Sequence, residues 1–588
     1  MENTWKIWEP TPQEQTTIST LATELHISEA SAKLLVKRGI SSGQEARAYV
    51  RPSLADLHSP MLMRDMDKAV SRLQKALHNN ERIMVYGDYD VDGTTAVSLV
   101  YSILSHRTQN IEFYIPDRYT EGYGISFKGI DVAKEHGCTL IIALDCGIKA
   151  VDKVAYATAK GIDFIICDHH TPGEQLPQAE AVLNMKRKDC PYPYKELSGC
   201  GVGFKFMQAL LQAEQAPMDE LWDVLPLLAM SIASDIVPLT GENRILAYYG
   251  LKRMNQQPSV GISSLLRVAG IDNREITITD LVYRLGPRIN ASGRMHSGAF
   301  AVQLLLADNE AEAMQRAEEV NSYNTERRTF DQHTNEEALH ILQQDPDNNL
   351  RSATVVYAPG WHRGVIGIAA SRLIETYYRP TIVLTDGEGD IITGSARSVA
   401  GFDIYTAIDS CRDLLTNFGG HLFAAGLSMH KENYAAFKQR FEQYVAEHIT
   451  PEQKHPVLEI EQQIQLSDIS SQFFNIIRHL EPFGPNNPQP LFLTRNLINH
   501  RTTRRVGKMG EHLRLDVTDR TAAITGIAFQ KGDMALPIQN GNAFDACYFL
   551  EPNTFNHITT IQMMVQDLRL CSTNETPKVP HAAGEALK

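Results

Sequence analysis

The segment at residues 81–93, ERIMVYGDYDVDG, places a short apolar run directly before clustered carboxylates. The run at 83–86 predicts a buried strand, and three aspartates follow it at alternate positions, namely Asp88, Asp90 and Asp92. Open α/β sheets keep their sites at the carboxyl ends of strands, and Mg²⁺ and Mn²⁺ prefer oxygen ligands. The segment therefore predicts a metal site at a sheet edge. The alternative is an acidic loop that only solvates the end of a strand.

Apolar strands then alternate with helical segments. IEFYIP, TLIIALD and DFIICDHH predict strands, whereas TTAVSLVYSIL, with its apolar residues on one face, SFKGIDVAKEHG and AVDKVAYATAKG predict helices. This alternation predicts a parallel sheet with helices on both faces. TLIIALD ends in Asp145, DFIICDHH ends in Asp168, His169 and His170, and the apolar run LLAMSIASDIVPL delivers Asp235. Because the carboxyl ends of parallel strands share one edge, we expect these groups to converge.

The totals set limits on the class of protein. A chain of 588 residues is too long for one core, so several domains are expected. The net charge of −14 excludes a protein coated in basic surface but allows a local basic channel. The eight cysteines form no CxxC pair, which predicts no zinc or disulfide framework and a cytoplasmic location. There is no signal pattern and no apolar run of about 20 residues, so no membrane association is expected.

The second half of the chain predicts two further domains. The composition of residues 311–344 favours helix. This segment is either a single helix of about 50 Å that acts as a strut between two domains or a pair of surface helices. ATVVYAP, TIVLTD and TGSARS predict strands of a second α/β unit, and GGHLFAAG predicts a turn and a helix start that allow close approach to a phosphate. The candidate substrate contacts of this unit are His362, Ser395, Arg397 and His421. For any one arginine the alternative is a surface ion pair.

Short strands with turn residues continue from residue 456 and predict a small barrel. A predicted hairpin in this region carries a basic cluster: His500, Arg501, Arg504, Arg505 and Lys508. With nearby aromatic residues the cluster fits an OB-fold that tracks single-stranded nucleic acid, and the alternative is a solvated run of charge. The tail from Ser572 is expected to be disordered.

VYGDYDVDG, LDCG, CDHH and SIASDIVPL resemble the four successive motifs of the DHH phosphoesterases. GPRINASGRM, WHRGVIGIAASRL, TGSARS, GGHLFAAGLSM and EPFGPNNPQPLF are similar, in order and spacing, to the RecJ single-strand-specific exonucleases. The implied fold is α/β, with a parallel-sheet DHH domain, a second α/β DHH-associated domain joined by a long helix, and a C-terminal OB-like β-barrel. The expected boundaries are 1–75 for an N-terminal helical region, 76–297 for the DHH domain and 298–350 for connecting helices. The DHH-associated domain is expected at 351–455, the OB-like domain at 456–571 and the tail at 572–588.

The resemblance implies a 5′→3′ exonuclease that degrades single-stranded DNA in repair and recombination, with two Mn²⁺ or Mg²⁺ ions. The implied ligands are Asp90 with Asp88 for one ion and Asp92, His169 and Asp235 for the other, with Asp145 bridging the two. Asp168 would support the histidines and His170 would face the reacting phosphate. Tyr86 stands where many relatives carry a histidine, so Asp88 is the expected replacement.

The resemblance also implies the substrate contacts and partners. Arg118, Ser395 and Arg397 would bind the 5′-terminal phosphate, unless Arg118 and Arg397 form interdomain ion pairs, while Arg288 and Asn290 would steady the strand between domains. The protein is expected to be a monomer that binds single-stranded DNA. A single-strand-binding protein and a helicase are the further expected partners.

Three other functions are weighed against this interpretation. A DHH phosphodiesterase acting on short oligoribonucleotides or cyclic dinucleotides would lack the basic barrel. A catalytically silent replication scaffold would have lost ligand carboxylates, which are intact in this chain. An inorganic pyrophosphatase is disfavoured by the length of the chain and by the barrel.

Overall fold

The computed structural model describes residues 3–555 and 558–571, so the tail predicted from Ser572 lies outside the described residues. Contacts divide the chain into two compact units. Of the described residues, the first contains 52–456 and 482–487, and the second contains 3–51, 457–481, 488–555 and 558–571. Among the described residues, no helix combines the length and apolarity that a membrane span requires.

The N-terminal elements belong to the second unit. They are one strand and three helices: β1 (Thr4–Ile7), α1 (Pro12–Leu25), α2 (Glu29–Val36) and α3 (Gly43–Val50). A capping box starts α1, because the Thr11 side chain accepts the Glu14 N–H while the Glu14 carboxylate accepts the Thr11 N–H. Ser28 and Ser42 cap α2 and α3 through their side-chain oxygens, so this part of the predicted helical region consists of three short, separately capped helices.

A five-stranded parallel sheet forms the first part of the first unit. Its elements are α4 (Met66–His78), β2 (Ile83–Gly87), α5 (Val91–Ser105), β3 (Ile111–Tyr114), α6 (Phe127–Glu135), β4 (Leu140–Leu144), α7 (Val151–Ala159), β5 (Asp163–Cys167) and β6 (Ala181–Leu183). The strand order β3-β2-β4-β5-β6 confirms the predicted parallel sheet. The order reverses between β2 and β4, and ligands bind in the crevice at such a switch point.

Helices complete this region: α8 (Gly199–Glu214), α9 (Asp219–Asp223), α10 (Leu225–Ser234), α11 (Gly241–Gln256), α12 (Val260–Val268), α13 (Ile278–Asp280), a π-helical turn (Leu281–Leu285), α14 (Gly286–Met295) and α15 (Ala299–Leu305). The predicted apolar face of α5 is buried, and because α8, α10 and the sheet surround the helix, nearly all its other residues are buried too. The apolar run before Asp235 is the helix α10, as its Leu, Ala and Met content favours.

Residues 310–344 form a single helix, α16 (Glu310–Gln344), so the single-strut prediction is confirmed over the pair of surface helices. Its 35 residues span about 52 Å at a rise of ~1.5 Å per residue. Ala317 and Val320 pack into the core of the parallel-sheet region, whereas Ala338 and Leu342 pack against α17 (Ile366–Thr376). The helix therefore carries contacts to both ends of the unit.

A mixed five-stranded sheet follows α16, in the order β10-β11-β9-β8-β7. Its other elements are β7 (Thr354–Tyr357), β8 (Thr381–Asp386), β9 (Ile391–Arg397), α18 (Ile404–Asp409), β10 (Asn417–His421), β11 (Ala424–His430) and α19 (Tyr434–His448). The predicted helix start in GGHLFAAG is wrong. That segment is the β10–β11 hairpin, since its backbone pairs Gly419 with Gly426 and Gly420 with Ala425.

The second unit is rich in strands: β12 (Val457–Ile460), β13 (Gln462–Gln463), α20 (Ser471–His479), β14 (Phe492–Asn499), β15 (Arg504–Val506), β16 (His512–Thr518), β17 (Ala523–Ala528), α21 (Ala535–Gln539), β18 (Phe544–Phe555) and β19 (Ile558–Leu570). β12 pairs with β1 in parallel. The larger sheet runs β13-β14-β18-β19-β17-β16-β15, and β16 also pairs with β14 through two residue pairs.

Candidate active site

Two neighbouring strands of the parallel sheet deliver the first group of carboxylates. Asp88 follows β2 directly, and Asp145 follows β4. Asp90 begins α5, where its carboxylate accepts the Gly93 N–H at 3.0 Å. Ligand atoms of Asp88, Asp90 and Asp145 lie within 4.8 Å of one another. The convergence predicted from the strand ends is therefore present at the switch point of the sheet.

A second group joins Asp92, His169 and Asp235, again with ligand atoms within 4.8 Å of one another. Three donors fix the Asp92 carboxylate: the N–H groups of Gly199 and Cys200, at 2.6 and 2.8 Å, and the Ser231 hydroxyl at 2.7 Å. Asp235 lies at the carboxyl end of α10. A third overlapping group contains Asp145, His169 and His170, so Asp145 and His169 each take part in two groups.

Several buried atoms of this cluster have no hydrogen-bond partner among the described residues: both carboxylate oxygens of Asp88, Oδ1 of Asp145 and both ring nitrogens of His169. His169 Nε2 lies 3.3 Å from Asp145 Oδ1 and 3.5 Å from Asp235 Oδ2, yet it forms no hydrogen bond. An unpartnered buried polar atom costs about 1–3 kcal/mol. Oxygen-rich ligands with one imidazole suit Mg²⁺ or Mn²⁺, so the residues present fit a divalent-cation site.

The carboxylates repel one another because they are buried together. Burial, followed by the charge of Asp90, raises the pKa of Asp88 to about 8. Burial, followed by the charges of Asp92 and Asp90, raises the pKa of Asp235 to about 9. The pKa of Asp145 also lies well above its ordinary value, through burial and then the Asp92 charge. Cations bound among these groups would remove the repulsion.

The two histidines differ, as predicted for neighbours in an extended segment. Burial lowers the pKa of His169, which favours the neutral form that binds metals. Burial is also the largest influence on His170 and acts against its charged form, but the hydrogen bond to Asp168 and the charges of Asp168, Asp92 and Asp90 together raise the pKa of His170. His170 Nδ1 lies 2.8 Å from Asp168 Oδ1, and Nε2 lies 3.0 Å from the hydroxyl of Tyr123. His170 is therefore oriented by Asp168.

Metal binding is expected to stabilise the fold more at pH 8 than at pH 5. The pKa values of Asp88 and Asp235 are higher in the folded chain than in the unfolded chain, so their contribution to metal-free stability is complete below about pH 4 and is lost as the pH rises through about 8 and 9. At a cation concentration 100 times Kd, we expect a rise in Tm on the order of 5 °C at pH 8. Differential scanning calorimetry with and without Mn²⁺ measures it. Equal gains at both pH values would contradict this electrostatic account.

The backbone is left-handed at two positions of the cluster, with φ of 59° at Asp145 and at Ile236. Aspartate tolerates this region, but a β-branched residue is strained there by about 1–2 kcal/mol. Ile236 directly follows Asp235, and its side chain is 67% exposed. The backbone strain at Ile236 therefore lies directly after the candidate ligand Asp235.

Tyr86 is fully buried, and its hydroxyl is already hydrogen-bonded outside the carboxylate cluster. Its hydroxyl donates to the Gly124 carbonyl at 3.0 Å and accepts from the Ser126 N–H at 3.1 Å. Asp88 belongs to the first carboxylate group, and its role in place of a histidine at position 86 stays a prediction.

Basic side chains from both ends of the first unit form a second cluster. Arg397 NH1 donates to Ser395 Oγ at 3.1 Å, and the Arg118 guanidinium lies 4.7 Å from the centroid of the Tyr89 ring. Gly367 leaves room for the pair, since a Cβ there would lie 2.8 Å from Arg397 NH2 and Ser395 Oγ. Burial lowers the pKa of Arg397. Neither Arg118 nor Arg397 pairs with a carboxylate of the described residues, so the interdomain ion-pair alternative is not observed.

Arg294, on α14, was missed by the sequence predictions. Its NH1 donates to the Gly364 carbonyl at 2.8 Å. Burial, followed by the charges of Arg118, Arg397 and Arg327, lowers the pKa of Arg294 to about 10. Arg294 therefore lies within the field of two further arginines, Arg118 and Arg397, and such a group forms a site for an anion. The signal was the second arginine of GPRINASGRM. We refer to Arg118, Arg294, Ser395 and Arg397 as the arginine pocket.

The remaining predicted substrate residues lie in different surroundings. Arg288 Nε donates to Asn321 Oδ1 on α16 at 3.0 Å, and Asn290 is half-buried on the same helix as Arg288. His362 stacks on Phe330 with ring centroids 5.2 Å apart. His421 is exposed at the end of β10. Among the described residues, neither Asn290 nor His421 forms a hydrogen bond with a member of the arginine pocket.

The basic cluster of the second unit lies on and before the β15–β16 hairpin. Arg501, Arg504 and Lys508 are exposed and form no ion pair with a described carboxylate. Arg505 Nε, in contrast, donates to the Gly532 carbonyl at 2.8 Å, and His500 Nδ1 lies 3.2 Å from Asp516 Oδ1. Sequence reasoning missed Arg514, which is exposed and lies directly across from Arg504 in the hairpin, and Phe529, which is 54% exposed.

Family models match all three folded regions of the chain. The model described as DHH family, N-terminal domain, matches residues 82–232, the DHHA1 domain matches 351–447, and the RecJ OB domain matches 460–567. The parallel sheet with its acidic edge, the mixed sheet after α16 and the strand-rich unit thus define a DHH-domain protein that also carries DHHA1 and OB domains.

Relatives narrow this class further. The chain is 36% identical over 561 residues to the single-stranded-DNA-specific exonuclease RecJ of Bacillus subtilis strain 168, across 95% of this chain and 70% of that protein. It is 32% identical over 556 residues to the protein of the same name from Escherichia coli K12, across 91% and 95%. The chain belongs to the RecJ family.

The fold agrees with solved structures of this family. The crystal structure of RecJ in complex with Mn²⁺ from Thermus thermophilus has a TM-score of 0.82 at 28% identity, across 98% of this chain and 80% of that one. The corresponding Mg²⁺ complex has a TM-score of 0.76 at 27% identity, across 98% and 79%. The predicted α/β architecture with a DHH domain, a DHHA1 domain and a C-terminal OB domain is confirmed.

Proposed function

We propose that this chain is a 5′→3′ exonuclease that hydrolyses single-stranded DNA with Mn²⁺ or Mg²⁺. The observation that carries the proposal is the buried set of unpartnered carboxylate and imidazole atoms at the switch point of the sheet, joined in one unit with an arginine pocket that lacks carboxylate partners among the described residues. The names of the RecJ relatives, single-stranded-DNA-specific exonuclease, support this substrate and reaction.

In the proposed site the ligands divide into two sets: Asp88 and Asp90 for one cation, Asp92, His169 and Asp235 for the other, and Asp145 shared. The cations would activate water and stabilise the charge that develops on the phosphodiester. The protein presets this geometry, since three donors hold Asp92 and the backbone of α5 holds Asp90. Asp168 holds the His170 ring in place, and the charged ring of His170 would donate to a phosphate oxygen.

In this proposal the arginine pocket determines that digestion starts at the 5′ end. Arginine side chains bind a terminal phosphate with paired, charge-assisted hydrogen bonds. Arg118, Arg294 and Arg397, with Ser395, would hold the 5′-phosphate, so that the next phosphodiester lies over the carboxylates. Arg288 and Asn290, with His362 and His421, would contact the strand elsewhere in the first unit.

The basic cluster of the second unit is proposed to bind the DNA backbone. Replacing Arg501, Arg504 and Lys508 together by alanine is expected to lower single-strand affinity, because the variant lacks three exposed cations. The slope of log affinity against log salt should flatten by about 0.7 for each phosphate that the variant no longer neutralises. Fluorescence anisotropy of a labelled oligonucleotide at several salt concentrations measures the slope.

Arg478→Ala, on α20 of the same unit, is the control, and its slope should match that of the wild type. Arg505 is left intact because it binds the Gly532 carbonyl and its loss would disturb the hairpin. An unchanged slope in the triple variant would identify the cluster as a solvated loop.

We further propose a cytoplasmic monomer that acts in DNA repair and recombination, with a single-strand-binding protein and a helicase as partners. The eight cysteines, all within the described residues, form no disulfide, which supports a reducing compartment. Analytical ultracentrifugation tests the monomer, and pull-down with purified candidate proteins tests the partners.

Digestion of end-labelled substrates tests the proposed function. Single-stranded DNA, blunt duplex, a short oligoribonucleotide and a cyclic dinucleotide would each be incubated with the enzyme, with and without Mn²⁺. The proposal expects hydrolysis of the single strand, dependent on Mn²⁺, at least tenfold faster than that of the other substrates. Preferential hydrolysis of the oligoribonucleotide or the cyclic dinucleotide would instead support the other DHH phosphodiesterases. No hydrolysis of any substrate would support the scaffold alternative.

A further inference from the structure

A cavity of about 740 Å³ lies beside the metal-binding edge of the parallel sheet. One wall is the loop at residues 120–126, and another is the segment 146–150 that leads from β4 into α7. Asp168 and His170, from the proposed active site, are among its lining residues. Its volume is in the range of pockets that bind small molecules, and the roles proposed above use none of its other lining residues.

Apolar side chains line much of the cavity: Ile125, Phe127, Cys146, Ile148 and Ala150. The Phe127 side chain is 45% exposed, and the edge contact of its ring with Tyr156, at 5.1 Å between centroids, fixes its orientation. An exposed aromatic ring held by its neighbours offers a stacking surface to a flat heterocycle. The walls therefore favour a ligand with an aromatic base.

The cavity also has three lysines among its lining residues: Lys128, Lys149 and Lys153. Lys128 pairs with Glu121 at 3.3 Å, and Lys153 pairs with Asp152 at 2.9 Å. Lys149 is exposed and has no carboxylate of the described residues within ion-pair distance. The negative groups that line the cavity are already engaged, since Glu121 accepts hydrogen bonds from Tyr114 and Ser126, and Asp168 accepts them from His170 and Ile148. The lysines that line the cavity therefore favour a ligand with a negative charge.

We propose that this cavity binds a nucleoside 5′-monophosphate, with the base beside Phe127 and the phosphate towards Lys149. Lys153 Nζ lies 5.2 Å from the centroid of the Phe127 ring and would therefore contact the base side of the ligand. The released product has this chemistry, so the source of the ligand rests on the proposed function. The bound nucleotide would lie against His170, whose ring contacts Tyr123 at 3.0 Å. Accumulated product would then slow turnover by restricting the histidine that faces the reacting phosphate.

Isothermal titration calorimetry of the full chain in excess chelator, with deoxyadenosine 5′-monophosphate as the probe, tests the site without metal-dependent binding. The titrations use Arg397→Ala as the background, because the arginine pocket also takes a 5′-phosphate in the proposed function. One binding site is expected in this background, with weaker binding of deoxyadenosine and of inorganic phosphate than of the nucleotide. Phe127→Ala and Lys149→Ala should each lower the affinity about tenfold, as loss of a stacking ring or of a charged group does. Lys75→Ala, which removes an exposed lysine on α4, should stay within about twofold of its background.

Loss of binding in Arg397→Ala with unchanged affinity in Phe127→Ala and Lys149→Ala would overturn the proposal, because the nucleotide would then occupy the arginine pocket. Absence of binding at millimolar nucleotide would overturn it too. Circular dichroism checks the fold of each variant, and Lys149→Ala removes only an exposed side chain. Failure of the proposed function is seen separately, because nucleotide binding without hydrolysis of single-stranded DNA would contradict that function and leave this site intact.

Discussion

Asp145→Asn is expected to lower the rate of single-strand hydrolysis on the order of 1,000-fold while the fold remains intact. Asp145 contributes to two of the three groups of candidate ligands, so its loss affects the sites of both cations. Asparagine has nearly the same shape, and it tolerates the left-handed backbone at this position, where φ is 59°. Hydrolysis would be measured on 5′-phosphorylated single strands at saturating Mn²⁺.

The melting temperature separates a lost ligand from a damaged fold. Because Asp145 is buried among other carboxylates, its replacement by a neutral group should leave the Tm of the metal-free protein unchanged or raise it. The gain in Tm on adding Mn²⁺ should fall at the same time. Asp67→Asn, at an exposed position on α4, is the matched control and should behave as wild type. Wild-type rates in Asp145→Asn would exclude the proposed metal centre.

Arg397→Ala is expected to reduce kcat/KM for 5′-phosphorylated strands on the order of 100-fold, with little change in Tm. The guanidinium donates only to Ser395 and to the Ala396 carbonyl, and no described carboxylate neutralises it. Its removal therefore costs the fold little and deprives a terminal phosphate of its paired donors. The measurement compares 5′-phosphate with 5′-hydroxyl strands of the same sequence, and the difference between them should largely disappear in the variant.

Two further variants sharpen this prediction. Arg397→Lys keeps the charge but loses the planar pair of donors, so it should recover only part of the preference for a 5′-phosphate. Arg412→Ala, which removes an exposed arginine paired with Asp409, should leave the preference unchanged. If Arg397→Ala digests 5′-phosphorylated strands as fast as wild type, Arg397 does not recognise the end.

The sequence predicted the carboxylate edge well because strand ends in a parallel sheet are fixed by local patterns. Asp88, Asp145 and Asp168 each follow an apolar strand, and the pairing of β2, β4 and β5 then forces them together. The separate roles predicted for the two histidines rest on a similar local argument, the alternation of side chains along an extended chain, and they stay a prediction. Composition predicted helix over residues 311–344 but left one helix and a pair of helices open, and the family resemblance favoured the single helix that α16 forms.

Other parts of the site depend on tertiary contacts that a single sequence does not contain. Arg294 becomes part of the pocket because α14 packs where Gly364 accepts its hydrogen bond, and no periodicity signals that contact. The hairpin in GGHLFAAG was missed because its strand pairing, between Gly419 and Gly426, uses residues with weak strand preference. Likewise, Arg514 joins the basic surface only through its pairing with Arg504.

The direction of digestion tests the central claim most directly. A single strand carrying a 5′-phosphate would be given distinct labels at its two ends and sampled early, with Mn²⁺ or with excess chelator. The account predicts that the first labelled product is the 5′-terminal mononucleotide, that the 3′ label stays in long fragments, and that chelator stops release of both. Early release of the 3′ mononucleotide, or full activity in chelator, would contradict it.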